Sequence, residues 1–207
     1  METKTDASPE IKELPTSSDD VKFEAIPLNP DPRRAHIIEK IMVSLCEFDT
    51  IFTDYQKGPD RLWAVAQVLN KPNSRTWEVW RYEEGIPIDV VGILYLTDIV
   101  WGQDAVAHFV FFDKRLHSKT QLIAQMLDWV FEDHERWRAL QRVTVTIPDF
   151  MFALVRYTQR YLGFSGPFTH KIAGKSAKVE GVKRNAILWR GKPRDLLILG
   201  KLNASRT

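Results

Sequence analysis

Val143 to Phe164 constrains this chain more than any other stretch: the apolar run Val143–Ile147 is followed by Pro148, an amphipathic segment and then Leu162-Gly163-Phe164. A glycine placed just past a helix supplies the left-handed residue that ends it and lets the chain re-enter a sheet at once. The stretch therefore reads as a strand, a helix and a tight return. Asp149 is expected to cap a helix that runs to about Tyr161.

The flanking pattern extends that unit in both directions. Val21–Leu28 alternates apolar and polar residues as a strand does, with Pro27 favouring its end, and Asn29-Pro30-Asp31-Pro32 breaks it. Ile37, Ile38, Ile41, Met42 and Leu45 recur at helical spacing, and Leu62, Trp63, Val65, Ala66 and Leu69 predict a second, shorter helix. Trp77–Tyr82 and Ile88–Leu96 read as a hairpin around Glu83-Glu84-Gly85. Ala105–Phe112 is apolar throughout its second half, as a central strand covered on both faces would be. The clearest helix follows, with Leu122, Ile123, Met126, Leu127, Val130 and Phe131 on one stripe. Asn185–Trp189 and Leu196–Leu199 form a last hairpin about Arg190-Gly191-Lys192-Pro193, and Ser165–Lys183 before it reads as a polar loop. The order β-α-α-β-β-β-α-β-α-β-β predicts an α/β (α+β) fold, a mixed central sheet of about seven strands with four helices.

With 207 residues the chain suits one domain, expected over 21–202, with an acidic flexible tail over 1–20 and a short tail over 203–207. No run approaches the roughly 18 apolar residues of a membrane span, and Met1–Asp20 lacks the apolar segment of a secretory signal. Cys46, the single cysteine, precludes an internal disulfide and fits a reducing, cytoplasmic setting; at the end of an apolar helical stripe it reads as a packing thiol. The net charge of +2 hides a gradient: Glu2, Asp6, Glu10, Glu13, Asp19 and Asp20 crowd one end, and Lys and Arg dominate after Arg156. Such ends are either solvated or docking arms for different partners.

The order of elements over Val21–Leu202, with the Leu162-Gly163-Phe164 close and the terminal Gly191-Lys192-Pro193-Arg194-Asp195 hairpin, resembles the GCN5-related N-acetyltransferase (GNAT) superfamily. Within it, Ala107–Asp113 ahead of the long helix is similar to acetyltransferase-like proteins of tailed phages. The resemblance implies acetyl-CoA as cofactor, its pyrophosphate held by backbone N–H groups of an R-x-x-G-x-G/A loop at a helix N-terminus. The equivalent segment here, Asp113–Gln121, has no glycine, and Lys114, Arg115 and Lys119 offer charge instead, with Ser118 as a cap and Thr120 beside it. Backbone groups around Val110 and Phe111 would hold the pantetheine arm. The position of the tyrosine that protonates the departing sulfur falls on Gln159, which cannot donate as a phenol does. Tyr157 and Tyr161 flank it, each turned about 200° away around the helix. Where family members often carry an Asn at the strand end, this chain has Pro148-Asp149-Phe150. Glu78 and His108 are the candidate bases, the first equally readable as a solvent-facing residue and the second as a satisfied core histidine.

Two functions compete. One is acetyl transfer from acetyl-CoA to an amine on a protein or a small molecule. The other is a catalytically silent GNAT-fold module for binding or assembly, of the kind found in a phage particle, for which seven tryptophans offer interface anchors. Nucleic-acid contact through Lys171, Lys175, Lys178, Lys183 and Arg184 is weakly supported, because almost no aromatics interleave them. Neither a metal nor a membrane is expected.

Overall fold

The computed structural model describes residues 21–27, 35–46, 72–113, 119–135, 137–172 and 174–206. The expected acidic tail, the helix around Leu62–Leu69 and the side chain of Cys46 lie outside the described residues. In chain order the elements are β1 (Val21–Pro27), α1 (Ala35–Cys46), β2 (Arg75–Glu83), β3 (Ile86–Val100), β4 (Asp104–Phe111), α2 (Lys119–Val130), β5 (Arg142–Pro148), α3 (Phe152–Leu162), β6 (Phe168–Ile172), β7 (Lys175–Val179), β8 (Gly181–Trp189) and β9 (Lys192–Leu202).

Seven strands form one sheet in the order β1-β2-β3-β4-β5-β9-β8. The β4–β5 pair is parallel and every other neighbouring pair is antiparallel. The period-2 alternation of side chains then assigns each face. On one face, Leu122, Ile123, Met126, Leu127 and Val130 of α2 and Val155 and Leu162 of α3 pack over Ala105, Ala107, Val143, Val145, Ile147, Leu197 and Leu199. On the other face, Ile41 and Leu45 of α1 cover Val90, Ile93 and Val110. The stripe expected on α2 is thus its core face.

α3 ends as its sequence dictates. Gly163 takes φ 73°, and the Phe164 N–H donates to the Thr158 carbonyl at 3.3 Å, which places Phe164 in the core with no exposed surface. The other end differs from expectation. Asp149 does not cap α3: Met151 holds that position without a side-chain bond, because Asp149 and Phe150 form a turn whose backbone is tied to Asp195, with Asp149 N–H donating to the Asp195 carbonyl at 3.0 Å.

Ser165–Lys183 is not one polar loop. It holds the separate hairpin β6–β7, in which Thr169 pairs with Lys178 and His170 with Ala177. Ala177 and Val179 are buried in the main cluster, a period of two that the surrounding lysines conceal in the sequence. Gly166 brings the return from α3 against this hairpin so closely that a Cβ there would lie 2.0 Å from the Val179 carbonyl carbon. Backbone cannot yield as a side-chain tip can, so G166A should cost at least the ~1–3 kcal/mol of an overpacked core. A fall in the urea midpoint at unchanged slope checks this.

Four tryptophans close one end of the larger core. Trp77 lies edge-on to Trp129 and Trp137 at 5.2 and 5.6 Å, and Trp101 meets Trp137 at 5.3 Å. The Trp137 indole N–H donates to the Val130 carbonyl at 3.0 Å, and Trp137 is only 5% exposed. Arg75 lies over the outer ring of Trp101, which is 44% exposed. These residues are core, with Trp101 at its rim.

Candidate functional site

Parallel pairing of β4 with β5 lasts for three positions: Asp104 with Arg142, Ala105 with Val143 and Val106 with Thr144. Beyond that vertex β4 remains paired with β3, through His108 with Tyr95, Phe109 with Leu94, Val110 with Ile93 and Phe111 with Gly92. β5 over the same length pairs with β9, from Val145 with Leu199 to Pro148 with Leu196. The two strands therefore diverge into a wedge. Its β4 wall presents, between Ala107 and Phe111, the backbone groups that point away from β3 and that no β5 residue pairs, and backbone polar groups take hydrogen-bond partners. An extended chain of amides laid along β4 would supply them.

Side chains flank the wedge on both faces of the sheet. On the α2/α3 face, Thr120 in the first turn of α2 meets Tyr157 of α3, hydroxyl to hydroxyl at 2.5 Å. This contact bridges the helix that follows β4 and the helix that follows β5. Phe109 and Phe111 of β4 line the same side, half-buried against the main core.

On the α1 face stands His108, two residues past the vertex. Its ring stacks on Tyr95 at 4.4 Å with 8° between planes, and Nε2 lies 3.1 Å from the Thr97 hydroxyl. Burial pushes the Tyr95 phenol up to about 12. It stays a neutral stacking partner throughout the range in which an imidazole titrates.

The other residues singled out in the sequence fall as follows. Glu78 shares the α1 face with His108 but belongs to β2, directly opposite Ile93 of β3, which is itself opposite Val110 of β4. It does not face solvent: it has no exposed surface, and the Trp80 indole N–H donates to its Oε2 at 2.9 Å. Val110 and Phe111 lie on the β4 wall of the wedge, paired with β3 and not with β5. Lys119 and Thr120 open α2, whereas Arg115 and Ser118 lie outside the described residues. Gln159 sits on the flank of α3 away from α2, and its amide donates to the Lys178 carbonyl of β7 at 2.7 Å. Tyr157 is the residue that sequence reasoning set aside. Helical periodicity finds the core face, here Val155, Thr158 and Leu162; which flank then faces α2 and which faces β7 depends on where the neighbours pack.

At the open end of the wedge, β9 and β8 run past Pro148, the last paired residue of β5. Phe150 and Trp189 stack there at 5.2 Å, with Arg194 over the outer face of Phe150 and Arg190 over Trp189. Asp195 accepts from the Asn185 backbone N–H at 2.9 Å and from Arg184 at 2.5 Å. The Asn185 N–H first, and Arg184 after it, hold its carboxyl below the usual carboxylate range. A depressed folded value contributes stability above the unfolded pKa and loses it as pH falls through the folded one. D195N should therefore flatten the acid limb of the stability curve below about pH 4 while costing stability at neutral pH, as chemical denaturation across pH will read.

This architecture, a mixed sheet split between its two parallel strands and flanked by helices on both faces, is the GNAT fold. Among solved structures, spermidine N-acetyltransferase from Vibrio cholerae in complex with CoA and spermine superposes with a TM-score of 0.60 over 89% of this chain and 96% of that one, at 11% identity. The same enzyme in complex with manganese ions gives 0.59 over 90% and 95%, also at 11% identity. A chimera of the Vibrio cholerae enzyme and hSSAT gives 0.60 over 90% and 97%, at 12% identity. No family model and no curated protein matches the sequence.

Proposed function

We propose that this chain is an N-acyltransferase that transfers an acetyl group from acetyl-CoA to an amine. The observation that carries this is the wedge beginning at Val106 and Thr144, with His108 on one face of the sheet and the Thr120–Tyr157 pair on the other. The residues fit the donor. The edge of β4 that turns away from β3 between Ala107 and Phe111 suits the amides of a pantetheine arm, and the first turn of α2, with Lys119 and Thr120, lies where its phosphates would sit.

Bound acetyl-CoA supplies an activated thioester carbonyl. The amine nitrogen bonds to that carbonyl carbon, the carbon–sulfur bond breaks, and the nitrogen sheds a proton. His108, oriented by Tyr95 and Thr97, accepts that proton. Tyr157 gives its phenolic proton to the departing sulfur and regains one from solvent. Glu78 belongs two strands from the wedge, about 10 Å at the usual spacing, and sits fully buried under Trp80, so it acts on the site only as part of the floor.

The test is release of free CoA thiol with an amine panel, comparing wild type with Y157F and T120V. If Tyr157 is the acid, Y157F lowers kcat by about 10²-fold with little change in KM for acetyl-CoA, and T120V changes kcat far less. No thiol release with any amine would contradict the reading.

A further inference from the structure

β3 carries one residue too many beside His108. Its register with β4 passes from Thr97 opposite Val106 to Val100 opposite Asp104, so Asp98 and Ile99 together face Ala105 alone. Residues two apart on a regular strand share a face. Here Thr97 lies on the His108 face while Ile99 is buried in the α2/α3 core, because the extra residue reverses the alternation. Asp98 absorbs the bulge with φ 52°, a left-handed conformation that aspartate tolerates better than most side chains. The bulge brings the carboxylate of this exposed residue to the Thr97 side, with Oδ2 at 3.4 Å from the Thr97 hydroxyl.

Three groups therefore form a chain: His108 Nε2, the Thr97 hydroxyl at 3.1 Å from it, and the Asp98 carboxylate. Thr97 is only 6% exposed, and a hydroxyl has one proton to give, so of its two contacts one is donated and the other accepted. An ionised carboxylate can only accept. The Thr97 proton thus goes to Asp98, and the Thr97 oxygen accepts from Nε2–H. That direction puts the proton of the neutral imidazole on Nε2 and the lone pair on Nδ1. The Tyr95 stack fixes the plane of the ring but not which nitrogen is protonated. Without the carboxylate the hydroxyl could turn, donate to Nε2 and select the other tautomer.

We infer that Asp98 is a positioning residue for the base: through the Thr97 hydroxyl it holds neutral His108 with Nε2 protonated, so that Nδ1 takes the proton the amine sheds. In that step only a proton moves, from the amine nitrogen to Nδ1. The imidazolium so formed still donates from Nε2 to Thr97, and the negative carboxylate at the end of the chain favours its charge. The inference rests on the acetyl-transfer reading and deepens it by naming what sets the base.

The experiment uses the full chain and reads CoA thiol release in T97V, T97S, D98G and the double variant T97V/D98G. Valine keeps the shape of threonine and loses the hydroxyl, and serine does the reverse. Glycine suits φ 52° better than aspartate, so D98G removes the carboxylate without straining the bulge. T97V and D98G should each lower kcat by about tenfold with KM for acetyl-CoA little changed, and the double variant should be no worse than T97V alone, since Asp98 acts only through Thr97. T97S should keep most of the wild-type kcat. Full activity in T97V or D98G, losses that multiply in the double variant, or damage from serine but not from valine overturns the inference. Nitrogen-15 NMR of the imidazole in the wild-type chain is independent of turnover: a neutral ring protonated at Nε2 is expected, and one protonated at Nδ1 overturns the inference alone. No turnover by wild type with any amine overturns the acetyl-transfer reading and the role built on it, and the NMR result separates that failure from a wrong hydrogen-bond direction.

Discussion

Replacing His108 with glutamine is expected to lower kcat/KM for amine acetylation by about 10²- to 10⁴-fold, the usual worth of a positioned base. Glutamine keeps a polar side chain beside Thr97 and roughly the volume next to Tyr95, so the sheet should stay intact. It cannot take a proton. The loss should lie in kcat and leave acetyl-CoA binding unchanged, because His108 stands on the face of the wedge opposite Thr120 and Tyr157. The pH–rate profile gives a second readout: a limb set by an imidazole, active when neutral, should vanish in the variant. A profile that keeps its limb in H108Q would assign the base elsewhere.

The second large effect is on stability. Trp137→Ala should cost about 3–5 kcal/mol, since it removes a buried indole that touches three other aromatic rings and one of the two donors to the Val130 carbonyl, which keeps only the Leu140 N–H. W101A should cost far less, because Trp101 sits at the rim of the same cluster. Comparable, small changes in both denaturation midpoints would show that the tryptophans are not the core element described here.

That cluster also shows where sequence reading stops. Trp137 lies in a run of charged residues, Glu135-Arg136-Trp137-Arg138, and by pattern alone it suggests an uncovered interface anchor. The structure buries it because the chain after α2 turns back over that helix, a tertiary event with no local signature. The same holds for β6–β7: alternation of Lys171, Lys175 and Lys178 with smaller residues looks like a solvated loop until Ala177 and Val179 find the core. Strong periodic elements were legible, among them the α2 stripe, the strand and helix closed by Gly163, and the two hairpins at Glu84-Gly85 and Arg190-Gly191. The wedge itself was not, since the point where β4 and β5 part depends on β5 taking β9 as its long partner.

For the site, the residue types were legible and their directions were not. His108 and Glu78 both lie on strands, but only register shows that one stands at the wedge and the other two strands away. Gln159 and Tyr157 lie on opposite flanks of one buried stripe. Only the packing of α3 between α2 and β7 gives the flank toward α2 to the tyrosine.

The account depends on the wedge accepting a thioester donor, and isothermal calorimetry of the purified chain with acetyl-CoA measures that directly. It predicts one site per chain with a dissociation constant of about 1 mM or tighter, in the range typical of enzyme substrates, weakened by K119A. No heat of binding, together with a folded protein by circular dichroism, would contradict it and leave the fold serving another purpose.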